Sequence, residues 1–278
     1  MTRNRPILFV GGGRITSALC AGLRLGKYPR EIVVHDRNPD KLRALRAESR
    51  VTMAHDLKEA LPRADVLIVA VRPASVPGIL QEIAGTGTWP RLCVSLAAGI
   101  PLAALRRSLG NPAHWVRAMP SPVSRIARGL TAISFEPAVS TTERKRVREL
   151  FEMVGQVIEV PEPRFDAFTA TYSSSHGYHA LATLASAAQR TGLDRKTALT
   201  AAAHALADGI HYWRKSALTV DELLQEAVTP GGIAAASMAA MDKAGYRQAV
   251  HKGIQAGITQ ARRNAASQKT RKATRKSS

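Results

Sequence analysis

The chain has 278 residues, 45% hydrophobic and 22% charged, a size and balance that suit two globular domains with their own cores and exclude a wholly disordered protein. No apolar run approaches the roughly 20 residues that span a bilayer, and Met1–Arg5 leads into a strand-like run instead of a signal sequence, which points to a cytoplasmic protein. The formal net charge of +19 concentrates phosphates, carboxylates and other anions around the molecule.

Five short apolar runs, Ile7–Val10, Ile32–His35, Val66–Val71, Leu92–Leu96 and Trp115–Met119, alternate with helix-period segments. Such alternation predicts a parallel sheet covered by helices. Leu130–Phe135 and Gln156–Val160 extend the sheet on either side of a helix over Thr141–Met153, and the domain, residues 1–163, is expected to end near Pro163. Cys20 falls on a buried helix and Cys93 on a buried strand; neither has the spacing of a metal site or redox pair, so both are expected as core filler and no metal is expected.

From Phe165 the texture turns Ala-rich and helical, with helices predicted over Phe165–Thr191, Arg195–Lys215, Val220–Ala227 and from Ile233 onward. The fold class is thus an α/β Rossmann-type N-terminal domain followed by an all-α C-terminal domain, residues 164–261. Long Ala/Leu faces pack helices closely and bury themselves on a second subunit, so a homodimer through this domain is expected. From Arg262 the chain carries Arg263, Lys269, Arg271, Lys272, Arg275 and Lys276 among Ser, Thr, Ala and Gln, without an acid. Residues 262–278 are expected to be a disordered basic tail, solvated and lacking the interleaved aromatics of a nucleic-acid contact.

The first strand runs directly into Gly11-Gly12-Gly13-Arg14-Ile15-Thr16 and an apolar helix, the layout of a dinucleotide fingerprint. Gly11 permits the tight turn, Gly13 lets the backbone approach a pyrophosphate, and the N–H groups and dipole of the helix opened by Arg14 and Ile15 receive its charge. The third fingerprint position is Thr16 instead of Gly or Ala, which tightens the helix against the strand. After the second strand the sequence reads His35-Asp36-Arg37-Asn38-Pro39-Asp40-Lys41. Asp36 suits both ribose hydroxyls, whereas Arg37, helped by Asn38 and Lys41, suits a 2′-phosphate; NADP is preferred to NAD on that basis.

Several phrases together resemble the pyrroline-5-carboxylate reductases, enzymes that reduce a cyclic imine to proline, over nearly the whole chain except the tail. Ala70-Val71-Arg72-Pro73 is similar to the family's Ala-Val-Lys-Pro, Ser95-Leu96-Ala97-Ala98-Gly99-Ile100 to its next strand and turn, and Arg117-Ala118-Met119-Pro120-Ser121 to its Arg-x-Met-Pro-Asn. Gly129-Leu130-Thr131 resembles its Gly-x-Thr, and Phe165-Asp166-Ala167 opens the helical domain as the family does. Ala70–Pro73 and Ala97–Gly99 lie at carboxyl ends of predicted strands, where an open α/β sheet places its ligand crevice, and are expected to face the nicotinamide.

Ala227-Val228-Thr229-Pro230-Gly231-Gly232-Ile233-Ala234 resembles the family's Val-Thr-Ser-Pro-Gly-Gly-Thr-Thr. Thr229, Gly231 and Gly232 are accordingly expected to receive the substrate carboxylate on free N–H groups at a helix start. Ile233 and Ala234 replace two threonines, the second of which the family places against the imine nitrogen. Tyr172-Ser173-Ser174-Ser175-His176-Gly177-Tyr178 stands where the family has Ser-Gly-Ser-Gly-Pro-Ala-Tyr. Ser174 and Tyr178 keep the family's substrate-binding side chains, while His176 introduces a titratable group suited to proton donation near neutral pH.

The resemblance implies an NAD(P)H-dependent oxidoreductase acting on C=N, with pyrroline-5-carboxylate or a close cyclic imino acid as substrate, and His176 with Thr229 as catalytic candidates. One alternative is an NADP(H)-binding protein with impaired catalysis whose basic tail recruits a partner. Another is a dehydrogenase of the 3-hydroxy-acid type, but those enzymes use a lysine early in the helical domain, and no lysine lies between Phe165 and Arg195.

Overall fold

A computed structural model describes residues 5–273. The chain begins β1 (Ile7–Val10), α1 (Arg14–Leu25), β2 (Ile32–His35), α2 (Pro39–Ser49), β3 (Thr52–Met53), α3 (Leu57–Ala60), β4 (Val66–Val69), α4 (Val76–Gly85), β5 (Leu92–Ser95), α5 (Leu102–Ser108) and β6 (His114–Met119). It continues with β7 (Gly129–Phe135), α6 (Thr141–Glu152), β8 (Gly155–Glu159) and α7 (Phe165–Thr171). Helices α8 (Ser174–Arg190), α9 (Arg195–Lys215), α10 (Val220–Ala227), α11 (Ile233–Lys243) and α12 (Tyr246–Ala273) complete it. None of the described helices is long and apolar enough to cross a membrane.

The eight strands form one sheet in the order β3-β2-β1-β4-β5-β6-β7-β8. Successive side chains of a strand point to opposite faces, so the apolar runs fill a core on each side. Ile7, Phe9, Ile32 and Val34 meet Leu19 and Leu23 of α1, Leu42 and Leu45 of α2 and Phe151 of α6. Leu8, Val10, Leu67 and Val69 meet Ile79, Leu80 and Ile83 of α4 and Leu105 of α5 on the other face. Cys20 and Cys93 are buried in these two layers, and burial pushes both thiols up, that of Cys20 to about 12.

All neighbours in the sheet are parallel except β6 and β7. Between those two strands the chain has only the 3-10 turn Pro122–Ile126 and no crossover helix, which leaves a reversal as the available connection. The two-residue β3 has no apolar run of its own and was not expected; it pairs with Val33 and Val34 at the sheet edge.

The chain forms two compact units, one comprising the residues up to Tyr172 with those from Ala256 onward, the other Ser173–Gln255. The boundary expected near Pro163 therefore moves about one helix later. Phe165 is fully buried beside Val160 and Ala132, and the Tyr172 hydroxyl accepts from the Leu130 N–H at 2.7 Å and shares a hydrogen bond with Ser121 Oγ at 2.9 Å. These contacts hold α7 to the sheet. They also explain why the single helix expected over Phe165–Thr191 breaks at Tyr172–Ser173, where Ser173 caps α8 by accepting from the Ser175 N–H.

The tail expectation needs correction as well. Residues 262–273 continue α12 instead of forming a disordered segment. Ala, Arg, Lys and Gln are strong helix formers, and the stretch contains no Gly or Pro. Residues 274–278, including Arg275 and Lys276, lie outside the described residues. In the first unit, α12 presses Ala261 so close to Gly99 that a Cβ there would stand 2.3 Å from the Ala261 carbonyl oxygen.

Candidate active site

Strand β1 lies between β2 and β4, so the chain leaves it in one direction across the sheet and returns on the other side. Crevices for ligands open at the carboxyl ends of strands at such a switch point. A cleft of about 450 Å³ occupies that place, lined by Gly11 and Gly13 after β1, Asp36 and Arg37 after β2, and Ala70, Val71 and Arg72 after β4, among others. Thus seven of the thirteen residues assigned to a cofactor from sequence meet in one cleft. Arg14 and Ile15 open α1 beside it, and Pro73 begins a 3-10 turn whose Ala74 and Ser75 line it.

The glycine turn is held by Gly11, Thr16 and Asp36. Gly11 has φ +110°, and a Cβ on it would lie 2.7 Å from Ala70 O, so the crossing from β1 to β4 needs this residue to be glycine. Thr16, fully buried, donates its hydroxyl to Gly11 O at 2.5 Å and ties the helix to the turn. Asp36 accepts the Gly12 N–H on Oδ2 at 2.7 Å and the Asn38 N–H on Oδ1 at 2.8 Å. The aspartate expected to read the ribose therefore also braces the turn.

The chain fits a dinucleotide at this point. Gly13 caps α1 without a side-chain hydrogen bond, and a Cβ built on it meets nothing within 4 Å. Any side chain there would project into open space beside the N–H groups of the helix start, where a pyrophosphate is received. Three cations, Arg37, Lys41 and Arg72, line the cleft with one carboxylate, Asp36. Lys41 Nζ lies 3.9 Å from Asp36, while Arg37, largely exposed, pairs with Glu82 of α4 at 2.6 Å.

Ala97, Ala98 and Gly99 follow β5 and lie outside this cleft. Arg117 of β6 performs a task that sequence reading missed. It is 2% exposed, stacks 4.4 Å over the Phe165 ring, and donates to Glu162 at 3.0 Å and Asp166 at 2.7 Å. An arginine inside an apolar strand, with acids just past Pro161, is the signal that could have revealed this clamp.

The substrate candidates all belong to the second unit, in two local groups. Ser174 starts α8, His176 lies in its first turn with its N–H donated to Ser173 O at 3.0 Å, and Tyr178 is exposed. Thr229, Gly231 and Gly232 form the turn between α10 and α11: the Gly232 N–H is donated to Thr229 O at 2.9 Å and Gly231 has φ +75°. Gly232 caps α11 without a side-chain hydrogen bond, which leaves the first N–H groups of that helix directed outward. Among the described residues no cluster of His, Cys, Asp and Glu could hold a metal ion.

Comparison with known proteins matches residues 6–99 to the family model described as NADP oxidoreductase, coenzyme F420-dependent, and residues 162–264 to pyrroline-5-carboxylate reductase dimerisation. A pyrroline-5-carboxylate reductase of Mycobacterium tuberculosis is 30% identical over 276 residues, covering 90% of this chain and 93% of the relative. The chain belongs to the pyrroline-5-carboxylate reductase family. Solved members share its fold. The Streptococcus pyogenes reductase superposes with a TM-score of 0.85 at 23% identity, covering 93% of this chain and 98% of that one. The Plasmodium falciparum enzyme, solved with NADP bound, superposes with a TM-score of 0.84 at 20% identity over 94% and 98% of the two chains. Fold and family together support a nicotinamide cofactor for this chain.

Proposed function

We propose that the protein reduces a cyclic imino acid, pyrroline-5-carboxylate or a close analogue, to the corresponding saturated amino acid. The observation that carries this is a dinucleotide cleft at the β1/β4 switch point in a chain 30% identical, over 90% of its length, to a pyrroline-5-carboxylate reductase. A bound reduced nicotinamide supplies hydride to the imine carbon. The chain's own part is to hold the substrate, place the C=N bond and provide a proton at nitrogen.

Thr229, Gly231 and Gly232 receive the carboxylate, on the N–H groups at the start of α11 and the threonine hydroxyl. Ser174 and Tyr178 contact the ring. His176 gives its imidazole proton to the nitrogen, with the Thr229 hydroxyl as the second candidate donor, because Ile233 and Ala234 carry no hydroxyl. An iminium is already electrophilic, so a donor of ordinary strength is enough. His176→Ala should lower turnover by at least roughly tenfold; unchanged turnover in a stopped-flow assay removes the histidine from the reaction.

For the cofactor, NADPH is preferred to NADH, supported by the three cations facing one carboxylate in the cleft. To grip a 2′-phosphate Arg37 exchanges its exposed partner Glu82 for a doubly charged one, a favourable trade because exposed pairs contribute about 1 kcal/mol or less. Arg37→Ala should weaken NADPH about tenfold more than NADH in a binding titration. Equal losses for both would end the assignment. The second unit acts as the dimerisation domain of a homodimer, in keeping with the family model matched over 162–264.

The test of the activity is oxidation of NADPH and NADH in the presence of pyrroline-5-carboxylate and of five- and six-membered relatives. Turnover on the parent compound supports the reading, turnover on relatives alone redirects it to another imine, and turnover on none overturns it.

A further inference from the structure

His35, the last residue of β2, lines the dinucleotide cleft and is 8% exposed. Its Nδ1 lies 3.0 Å from Ala54 O. A carbonyl oxygen only accepts, so Nδ1 carries the proton, and in the neutral ring Nε2 is left as an acceptor. That atom is buried and has no hydrogen-bond partner among the described residues. A buried polar atom without a partner is costly and uncommon, which marks Nε2 as awaiting a donor that the protein does not supply.

The surroundings define the donor. Side chains alternate along β2, and Val33 packs with Ile79 on the α4 face of the sheet, so His35 stands on that face while Asp36 turns to the opposite one and meets Gly12. On the α4 side the cleft is lined by small residues, Ala74, Ser75 and Gly78, with Ile79, and beside Gly78 a Cβ would meet nothing within 4 Å. A wall of small side chains beside one buried acceptor suits a flat heteroaromatic base bearing an amino group at its rim.

We propose that His35 Nε2 accepts a hydrogen bond from the exocyclic amino group of the cofactor's adenine, so that the protein selects a 6-amino over a 6-oxo purine. The inference rests on the cofactor reading of the cleft given above. It assigns His35 to recognition of the base, apart from Asp36 and Arg37 at the ribose, and requires no part of the reaction.

Calorimetric titration of the full chain with NADPH and with its hypoxanthine counterpart tests it without catalysis. The wild type should bind the adenine form roughly tenfold more tightly, since the 6-oxo group sets acceptor against acceptor. In His35→Phe, of similar shape, the two forms should bind within twofold of each other. Equal affinities in the wild type overturn the proposal, as does a preference that persists in the variant. If the variant fails to fold, the wild-type ratio decides alone. Binding of neither form overturns the cofactor reading and the proposal together.

Discussion

The two units solve the problem of burial differently. In the first, both faces of the sheet are covered by the chain's own helices, and side chains as large as Trp115, Phe9 and Phe151 are sealed from water. In the second, the buried apolar residues are Ala185, Ala198 and Ala202, while Ile210, Tyr212, Trp213, Leu224 and Met241 all remain between 39% and 56% exposed. A helical unit that leaves this much apolar surface open lacks a core within one chain; it is built to be completed by another. The contrast separates two sources of stability. The candidate cofactor cleft depends on intrachain packing, and the turns proposed for the substrate belong to a unit whose apolar faces remain open.

The strongest way to break that contrast is to charge the open face. Ile210→Asp with Trp213→Glu should shift the homodimer to monomer, raising its dissociation constant by at least about 100-fold because unpaired charges in an interface cost several kcal/mol. Turnover should fall with it, while NADPH affinity, a property of the first unit, should stay within twofold. Sedimentation and a binding titration read the two effects separately, and a variant that remains dimeric would refute this face as the interface.

Next in size is the clamp in the first unit. Arg117→Leu removes the cation between Glu162 and Asp166 and leaves both carboxylates without it. Breaking a buried pair costs about 3–5 kcal/mol, and because the acids are partly exposed the lower end applies, about 3 kcal/mol. Thermal unfolding should fall by roughly 6–12 °C for a chain of this size. The change tests whether α7 belongs with the sheet; a loss below about 1 kcal/mol would mean that Phe165 and Tyr172 hold it unaided.

A smaller effect distinguishes fold from function within the cleft. Gly13→Ala adds a methyl group where nothing lies within 4 Å, at a φ of −80° that alanine accepts. Its melting temperature should match the wild type, whereas cofactor affinity should drop about tenfold as the methyl group meets the pyrophosphate. Unchanged affinity would move the pyrophosphate away from α1.

Legibility in the sequence follows the same division. Strand runs of the first unit were readable because a strand buried on both faces is nearly continuous in apolar residues, as in Ile7–Val10 and Val66–Val69. The glycine turn was readable because its chemistry is local. Arg117 and the bracing role of Asp36 were not, since each depends on a partner distant in sequence or on another strand end. His35 escaped because one polar residue closing an apolar run carries no signal until its two ring nitrogens have surroundings. In the second unit, α9 and α10 were legible from composition and caps. The break at Ala244–Gly245, where Gly245 has φ +85°, and the onward course of α12 were not, because an Ala-rich pattern marks helix without marking where it turns.

The gentlest test concerns acid. Glu143 begins α6 in a capping box with Ser140 and meets His114 at 3.0 Å. Its burial pushes the carboxyl up, but the hydrogen bonds from His114 and from the backbone and hydroxyl of Ser140 outweigh burial and hold it below the usual value. For a carboxyl depressed in the folded state, the unfolded chain binds the proton first, so the stabilisation is fully present above the ordinary value of 4.5 and disappears as pH falls through the lower folded value. Glu143→Gln keeps the shape and removes the titration. Urea midpoints between about pH 7 and 3 should therefore show the variant less stable at neutrality and the gap closing toward acid. A gap that stays constant with pH would assign the residue's contribution to packing and capping alone, and the first unit would then owe this corner to its shape instead of its charge.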